Sequence, residues 1–262
     1  MKKGVVIFGS LIFALALCVP VVAQPSAKAV ETIVIDNFDT EGAQEYLCGG
    51  QTYNWTWGVQ TSRFVTEGYP LVKMFDGIPN SLRPYQKEGV TPQVLGVKIK
   101  FDRKGDNWFE VFPKSNDEIT EIPFIGTVTQ IDFWVWGANY NYNLEILLRD
   151  ADGRVHTIKA GNLAFQGWRN VVVNVPGYIR QHSRIRSGRR NLTFVGFRVR
   201  TDADEAVDDY VIYFDQLKYT TNTLSNIYDG YELKDADFGD SDSTETVSTD
   251  AGKSTAWRAT DG

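Results

Sequence analysis

Between Thr32 and Tyr219 apolar and polar residues alternate with a period of two, the spacing at which neighbouring side chains reach opposite faces of a β-strand. In Val94–Phe101, Leu95, Val97, Ile99 and Phe101 fall on one face, and Lys98 and Lys100 on the other. Leu144, Ile146 and Leu148 alternate with Glu145 and Arg149, and Val171, Val173 and Val175 with Val172 and Asn174. In Thr193–Arg200 the pattern sets Val195, Phe197 and Val199 against Phe194, Arg198 and Arg200. In Tyr210–Tyr219 it sets Tyr210, Ile212 and Phe214 against Val211, Tyr213 and Leu217. Every run is short and ends in turn-forming residues; Asp150-Ala151-Asp152-Gly153 reads as a hairpin turn. No segment carries the long apolar stripe of a core helix, and Pro176–Arg186 has room for one short helix only. The expected fold is all-β, an antiparallel, jelly-roll-like β-sandwich.

The two ends follow other rules. Lys2 and Lys3 precede an apolar run from Val5 to Val22, and Val21-Val22-Ala23 supplies small residues ahead of Gln24. This is the layout of a cleavable export signal over residues 1–23. A membrane anchor competes on length, since a bilayer takes about 20 apolar residues, but Pro20 and the small-residue exit favour cleavage. Lipidation at Cys18 is disfavoured by Leu17, which stands where such signals carry a small residue. Residues 24–31 read as a short linker, 32–220 as the sandwich, and 221–262 as an acidic, Ser/Thr-rich tail expected to be disordered.

Cleavage leaves Cys48 as the one cysteine, so no intrachain disulfide is expected and the core must hold by packing. An aromatic content of 13% supplies bulk for it. The formal charge of −6 falls to −8 once Lys2 and Lys3 leave with the signal, which argues against nucleic-acid binding. One segment runs against that balance: Arg180, Arg184, Arg186, Arg189, Arg190, Arg198 and Arg200 form a basic stretch. It suits a solvated loop, docking on an acidic protein surface through the planar guanidinium fork, or contact with an anionic polymer or membrane surface.

Motifs for catalysis are missing. There is no Gly-x-Ser-x-Gly, no His-Glu-x-x-His, no phosphate-binding loop and no Cys-x-x-Cys. His156 and His182 stand in no metal-binding spacing, and no metal or cofactor is expected. Asp36, Asp39 and Asp215 offer too few oxygens for a calcium site and read better as turn carboxylates. The aromatic runs say more. Ile131–Trp136 puts Phe133 and Val135 on one face and Trp134 and Trp136 on the other, followed by Tyr140 and Tyr142 in an Asn-rich stretch. Core packing is the first account of such residues; a protein or glycan contact surface is the second, because Trp, Tyr and Arg concentrate at interface centres.

Taken in order, the export signal, Ile35-Asp36-Asn37-Phe38-Asp39, Ile131–Trp136, Asp150–Gly153, Phe165-Gln166-Gly167-Trp168-Arg169 and Tyr213–Tyr219 resemble the spirochaetal flagellar filament outer-layer (sheath) proteins. The resemblance implies a non-enzymatic structural protein of the periplasmic flagellum, on a sandwich of galactose-binding or carbohydrate-binding-module type. It implies repeated copies docked on a core of flagellin and beside other sheath proteins, with a role in filament shape and motility and no membrane anchor after cleavage. The contact residues expected are Trp134, Trp136, Tyr140 and Tyr142, with Arg184, Arg186, Arg189 and Arg190 as a second patch. A secreted carbohydrate-binding module using the same aromatics for stacking is the alternative, and a sandwich glycoside hydrolase or lyase a third.

Overall fold

Alternation becomes strands, and pairing sorts the strands into two antiparallel sheets. The computed structural model describes residues 30–39, 44–48, 50–183 and 191–223, within one compact unit that ends at Asn226. The expected signal, most of the expected tail and residues 184–190 lie outside the described residues. In chain order the strands are β1 (Val30–Asp36), β2 (Gln44–Cys48), β3 (Gln51–Thr61), β4 (Leu71–Asp76), β5 (Gln93–Ile99), β6 (Trp108–Ser115) and β7 (Glu118–Ile119). They continue with β8 (Ile122–Pro123), β9 (Thr127–Ala138), β10 (Asn143–Arg149), β11 (Val155–Asn162), β12 (Gln166–Asn174), β13 (Thr193–Arg200) and β14 (Tyr210–Asn222). The strands therefore extend two residues past each end of the expected span.

The first sheet runs β12-β9-β14-β5-β4, with β1 on the far half of β14; the second runs β11-β10-β13-β6-β3-β2, with β7 on β6 and β8 on β13. Between the sheets lies an aromatic core. Phe197 of β13 stacks on Phe214 of β14 at 4.6 Å and 15° and tilts against Phe133 of β9 at 4.8 Å. Edge contact with Phe194 at 5.1 Å and stacking on Trp57 at 6.3 Å complete its surroundings. These rings bridge the two layers, and each fully buried Phe contributes roughly 1.5–3 kcal/mol by leaving water. Cys48 is buried in the same hydrophobic core cluster.

Two corrections to the sequence phase share one cause. Leu147 pairs with Gly196 while Leu148 pairs with Phe194, so Val195 is an extra residue in β13. The bulge turns Phe194 inward beside Phe197 and leaves Val195 half-exposed, against the expected phase. In β14, Asp215 faces Trp134 but Lys218 faces Asp132, with Gln216 at φ 51° in between. Leu217 thereby moves to the core side with Phe214 and Tyr219, where all three are fully buried. The described part of Pro176–Arg186, which had room for a short helix, holds none: residues 176–183 form turns and an isolated bridge between His182 and Asn191. One unforeseen 3-10 turn, Arg83–Tyr85, carries Pro84 as its second residue in the β4–β5 connection.

The expected hairpin turn is present. Asp150 accepts hydrogen bonds from the backbone N–H of Asp152 (3.0 Å) and Arg154 (2.8 Å), and its second oxygen lies 2.6 Å from His156 Nε2. Gly153 takes φ 91°, which a side chain would strain.

Candidate functional site

The outward face of the first sheet carries a row of aromatic side chains that keep solvent-facing area. Register builds it. Trp168 of β12 pairs with Trp136 of β9, Trp136 with Tyr213 of β14, Tyr213 with Gly96 of β5, and Gly96 with Lys73 of β4. Paired residues share a face, so one transverse row reads Trp168, Trp136, Tyr213, Gly96, Lys73. Phe75 leans into the gap above Gly96, where an added Cβ would meet its ring at 2.6 Å and that of Tyr213 at 2.9 Å. The absence of a side chain at 96 is what lets both rings settle on the sheet. Phe75 meets Tyr213 at 5.7 Å and 84°, and Trp136 meets Tyr213 at 5.5 Å and 78°, the edge-to-face geometry that the ring quadrupole favours. All three rings keep solvent-facing area, Phe75 at 42% exposure.

The structure separates the residues expected to act together. Trp134 and Trp136 share this half-exposed face. Trp134 stands one row along, between Asn170 and Asp215. Tyr140 and Tyr142 belong to another cluster, at the end of β9, where they pack on Tyr210 at 5.1 and 4.5 Å. Tyr140 is half-buried and donates to the Asp208 carbonyl at 2.9 Å. Tyr142 is 0% exposed and donates to the Ala206 carbonyl at 2.6 Å. Burial holds its phenol far above the ordinary value, and no partner reaches it in this fold. Arg184, Arg186, Arg189 and Arg190 lie outside the described residues. Among the flanking arginines, Arg180 pairs with Asp152 at 3.3 Å, Arg200 with Asp106 at 2.7 Å, and Arg198 with Glu110. These three are neutralised within the chain, which narrows any basic patch to residues 184–190.

Sequence reasoning missed Trp168, Tyr213 and Phe75 as one surface. The signal was available in part, since Trp168 and Tyr213 fall in the phase opposite to their core-facing neighbours, but nothing local announces that the two strands flank β9.

The acidic residues at the junction of β1 and β14 do meet. Asp36 accepts from the Phe38 backbone N–H and from Trp57 Nε1, both at 2.7 Å, and Asp39 accepts from the Gln93 backbone N–H at 3.1 Å. Burial pushes the Asp36 carboxyl up to about 6 against those hydrogen bonds. Asp215, 3% exposed, is pushed up to about 8 by burial and by the neighbouring charges of Asp39 and Asp36. Its Oδ1 is buried with no hydrogen-bond partner among the described residues. Among those residues no group of three or more His, Cys, Asp or Glu side chains is placed to hold a metal ion.

Comparison with known proteins identifies the family. Residues 78–228 match the family model described as flagellar filament outer layer protein FlaA. The chain is 28% identical over 200 residues to a putative flagellar filament outer layer-like protein of Brachyspira hyodysenteriae, covering 74% of this chain and 86% of that protein. It is 34% identical over 115 residues to a flagellar filament outer layer protein of Treponema pallidum, covering 40% of this chain and only 33% of that protein. The similarity to the flagellar filament outer layer protein of Borreliella burgdorferi, 26% identical, covers 56% of this chain and 49% of the relative. Among solved structures, the family 11 carbohydrate-binding module of a Clostridium thermocellum cellulase aligns with TM-score 0.40 at 11% identity, over 73% of this chain and 95% of the module. A carbohydrate-binding module of the β-sandwich superfamily gives 0.39 at 12% identity, over 62% of this chain and 56% of that one. Similarity at that level transfers no ligand and no site. The family match spans more than half of the sequence, and the chain accordingly belongs to the FlaA family of flagellar filament outer layer proteins.

Proposed function

We propose that this outer-layer protein of the periplasmic flagellum docks in repeated copies on a core of flagellin, beside other sheath proteins, through the outward face of its first sheet. The family is structural, and no catalytic step is assigned to the chain. What supports this choice of face is its half-exposed rings, Trp136 in one row and Trp134 in the next: among the described residues they keep solvent-facing area, and an exposed aromatic face marks an interaction surface. The arginines at 184, 186, 189 and 190 are proposed as a second, charge-guided contact. A single contact of this kind need not be strong. Copies held side by side along a filament present each other at high effective concentration, and weak sites then give lasting attachment. The same repetition explains how such a layer supports filament shape and motility.

Purified periplasmic filaments, cross-linked and analysed by mass spectrometry, test the reading. Cross-links from residues 130–136 and 166–172 to flagellin are expected. Absence of the chain from such filaments would overturn the reading, and cross-links confined to the second sheet would overturn the choice of face.

A further inference from the structure

We propose that the aromatic cleft on the first sheet is a saccharide-binding site, taking a short oligosaccharide across Trp168, Trp136 and Tyr213. The proposal rests on the docking reading only in using the same face; its occupant is a sugar chain and its geometry stands by itself.

The cleft lies between the outward row of rings and the chain that leaves β4. It is lined by Phe75, Asp76, Arg83, Trp136, Trp168 and Tyr213, among others, and offers ≈ 360 Å³ of space broadly open to solvent. It continues over Phe75 and Tyr213 into a second, more apolar hollow of ≈ 330 Å³. Each lies at the lower end of the range for small-ligand sites, roughly 300–1,000 Å³, and together they make a trough rather than a closed pocket.

Its chemistry has two parts. The rings are held by one another: Trp136 and Phe75 both stand edge-to-face to Tyr213, at 78° and 84°. A ligand that lies on them freezes little side-chain motion, so less of the contact energy is lost to ordering. At the margin, Asp76 and Arg83 are both exposed, and Asp76 is steadied by a long hydrogen bond of 3.4 Å from Gln93 Nε2. A carboxylate accepts and a guanidinium donates in fixed directions. A pyranose ring matches both parts at once. Its C–H face is apolar and lies flat on an aromatic ring, while its rim of hydroxyls offers donors and acceptors side by side.

Other occupants fit less well. An extended peptide needs partners for its backbone N–H and C=O groups, and here β5, β14 and β9 are paired on both sides, leaving only side chains as the floor between the edge strands. A purely apolar ligand would strip water from Asp76 and Arg83 and return no hydrogen bond. A cationic ligand suited to the rings would meet Arg83 and Lys73 at the rim.

The test uses the full chain on a glycan array, followed by calorimetric titration with chitotetraose, cellotetraose and β-1,4-galactotriose. Binding of at least one sugar with a Kd below about 1 mM is expected. Trp136→Ala and Trp168→Ala should each weaken it by about tenfold or more, the usual size of an aromatic anchor. Tyr178→Ala, an exposed aromatic elsewhere on the chain, should leave it unchanged, with far-UV circular dichroism confirming that all variants fold. No sugar bound up to about 10 mM, or binding that survives both tryptophan changes, overturns the proposal. Co-sedimentation with filaments, measured in parallel, separates the readings: a chain that pellets with filaments yet binds no sugar leaves the sheath assignment standing and removes this one.

Discussion

At the scale of single residues, the buried carboxyls set the most specific expectation. Asp36 and Asp215 have folded-state values raised to about 6 and about 8 from an ordinary 3.8, burial being the main cause. A raised carboxyl binds its proton more tightly in the fold than in the unfolded chain. Stability from this source is therefore complete below about pH 4 and is lost as pH rises through the folded values. The wild-type melting temperature should fall between pH 5 and pH 9. Asp215→Asn cannot ionise, so its melting curve should flatten over pH 7–9 and lie about 2–6 °C above wild type at pH 9. A variant that tracks the wild type across that range would show that Asp215 is not held protonated. The central ring obeys a different rule. Phe197 touches rings from both sheets, and Phe197→Ala should cost about 3–5 kcal/mol, read as a lowered urea midpoint.

Secondary-structure elements bring bulges and turns into play. Gln216 sits at φ 51° with one residue too many between the pairs at Asp215 and Lys218. Glycine adopts that conformation freely and β-branched residues resist it. Gln216→Gly should leave stability equal or slightly higher, while Gln216→Val should cost about 1–2 kcal/mol; equal denaturation curves for the two would rule out a positive-φ bulge. The β10–β11 turn depends on one carboxylate. Burial raises the Asp150 carboxyl, but the hydrogen bonds from His156, Arg154 and Asp152 outweigh it and hold it below the usual range. Its stabilising contribution is thus present at neutral pH and lost as pH falls through that lowered value. Asp150→Ala should cost about 1–3 kcal/mol by stranding its donors, with the deficit shrinking in strong acid.

For the whole molecule, the prediction concerns attachment rather than folding. Trp134 and Trp136 keep solvent-facing area, so the double change to Ala should leave the monomer's secondary structure intact. Because many copies act together, a modest loss per contact should still deplete the chain from sheared filaments, as quantified by immunoblot against flagellin. Full retention would move the docking face elsewhere.

How much could be read ahead differs between fold and site. Leu95, Val97, Ile99 and Phe101 all reach the core as their spacing requires, because alternation is a local property of an extended chain. Phe194 and Leu217 do not follow their expected phase, because each lies past a bulge, and a bulge is decided by the partner strand. Trp134 and Trp136 were legible as sharing one face, but whether that face was buried or outward stayed open. Tyr142, of the same residue class and nearby in sequence, is a core residue, because what covers a side chain is not written beside it.

The sequence by itself determined the all-β class and several of its strands, the turn at Asp150–Gly153, the two-faced pattern of Ile131–Trp136 and, through their order, the family. Tertiary structure alone decided which strands lie side by side. That choice gathered Trp168, Trp136, Tyr213 and Phe75 from four strands onto one face, enclosed Asp215 beside Asp36 and Asp39, and tied Arg198 and Arg200 to acidic partners. The physical reason is one of range. Side-chain direction follows from each residue's own backbone, whereas register, burial and charge pairing depend on hydrogen-bond ladders that join residues distant in the chain.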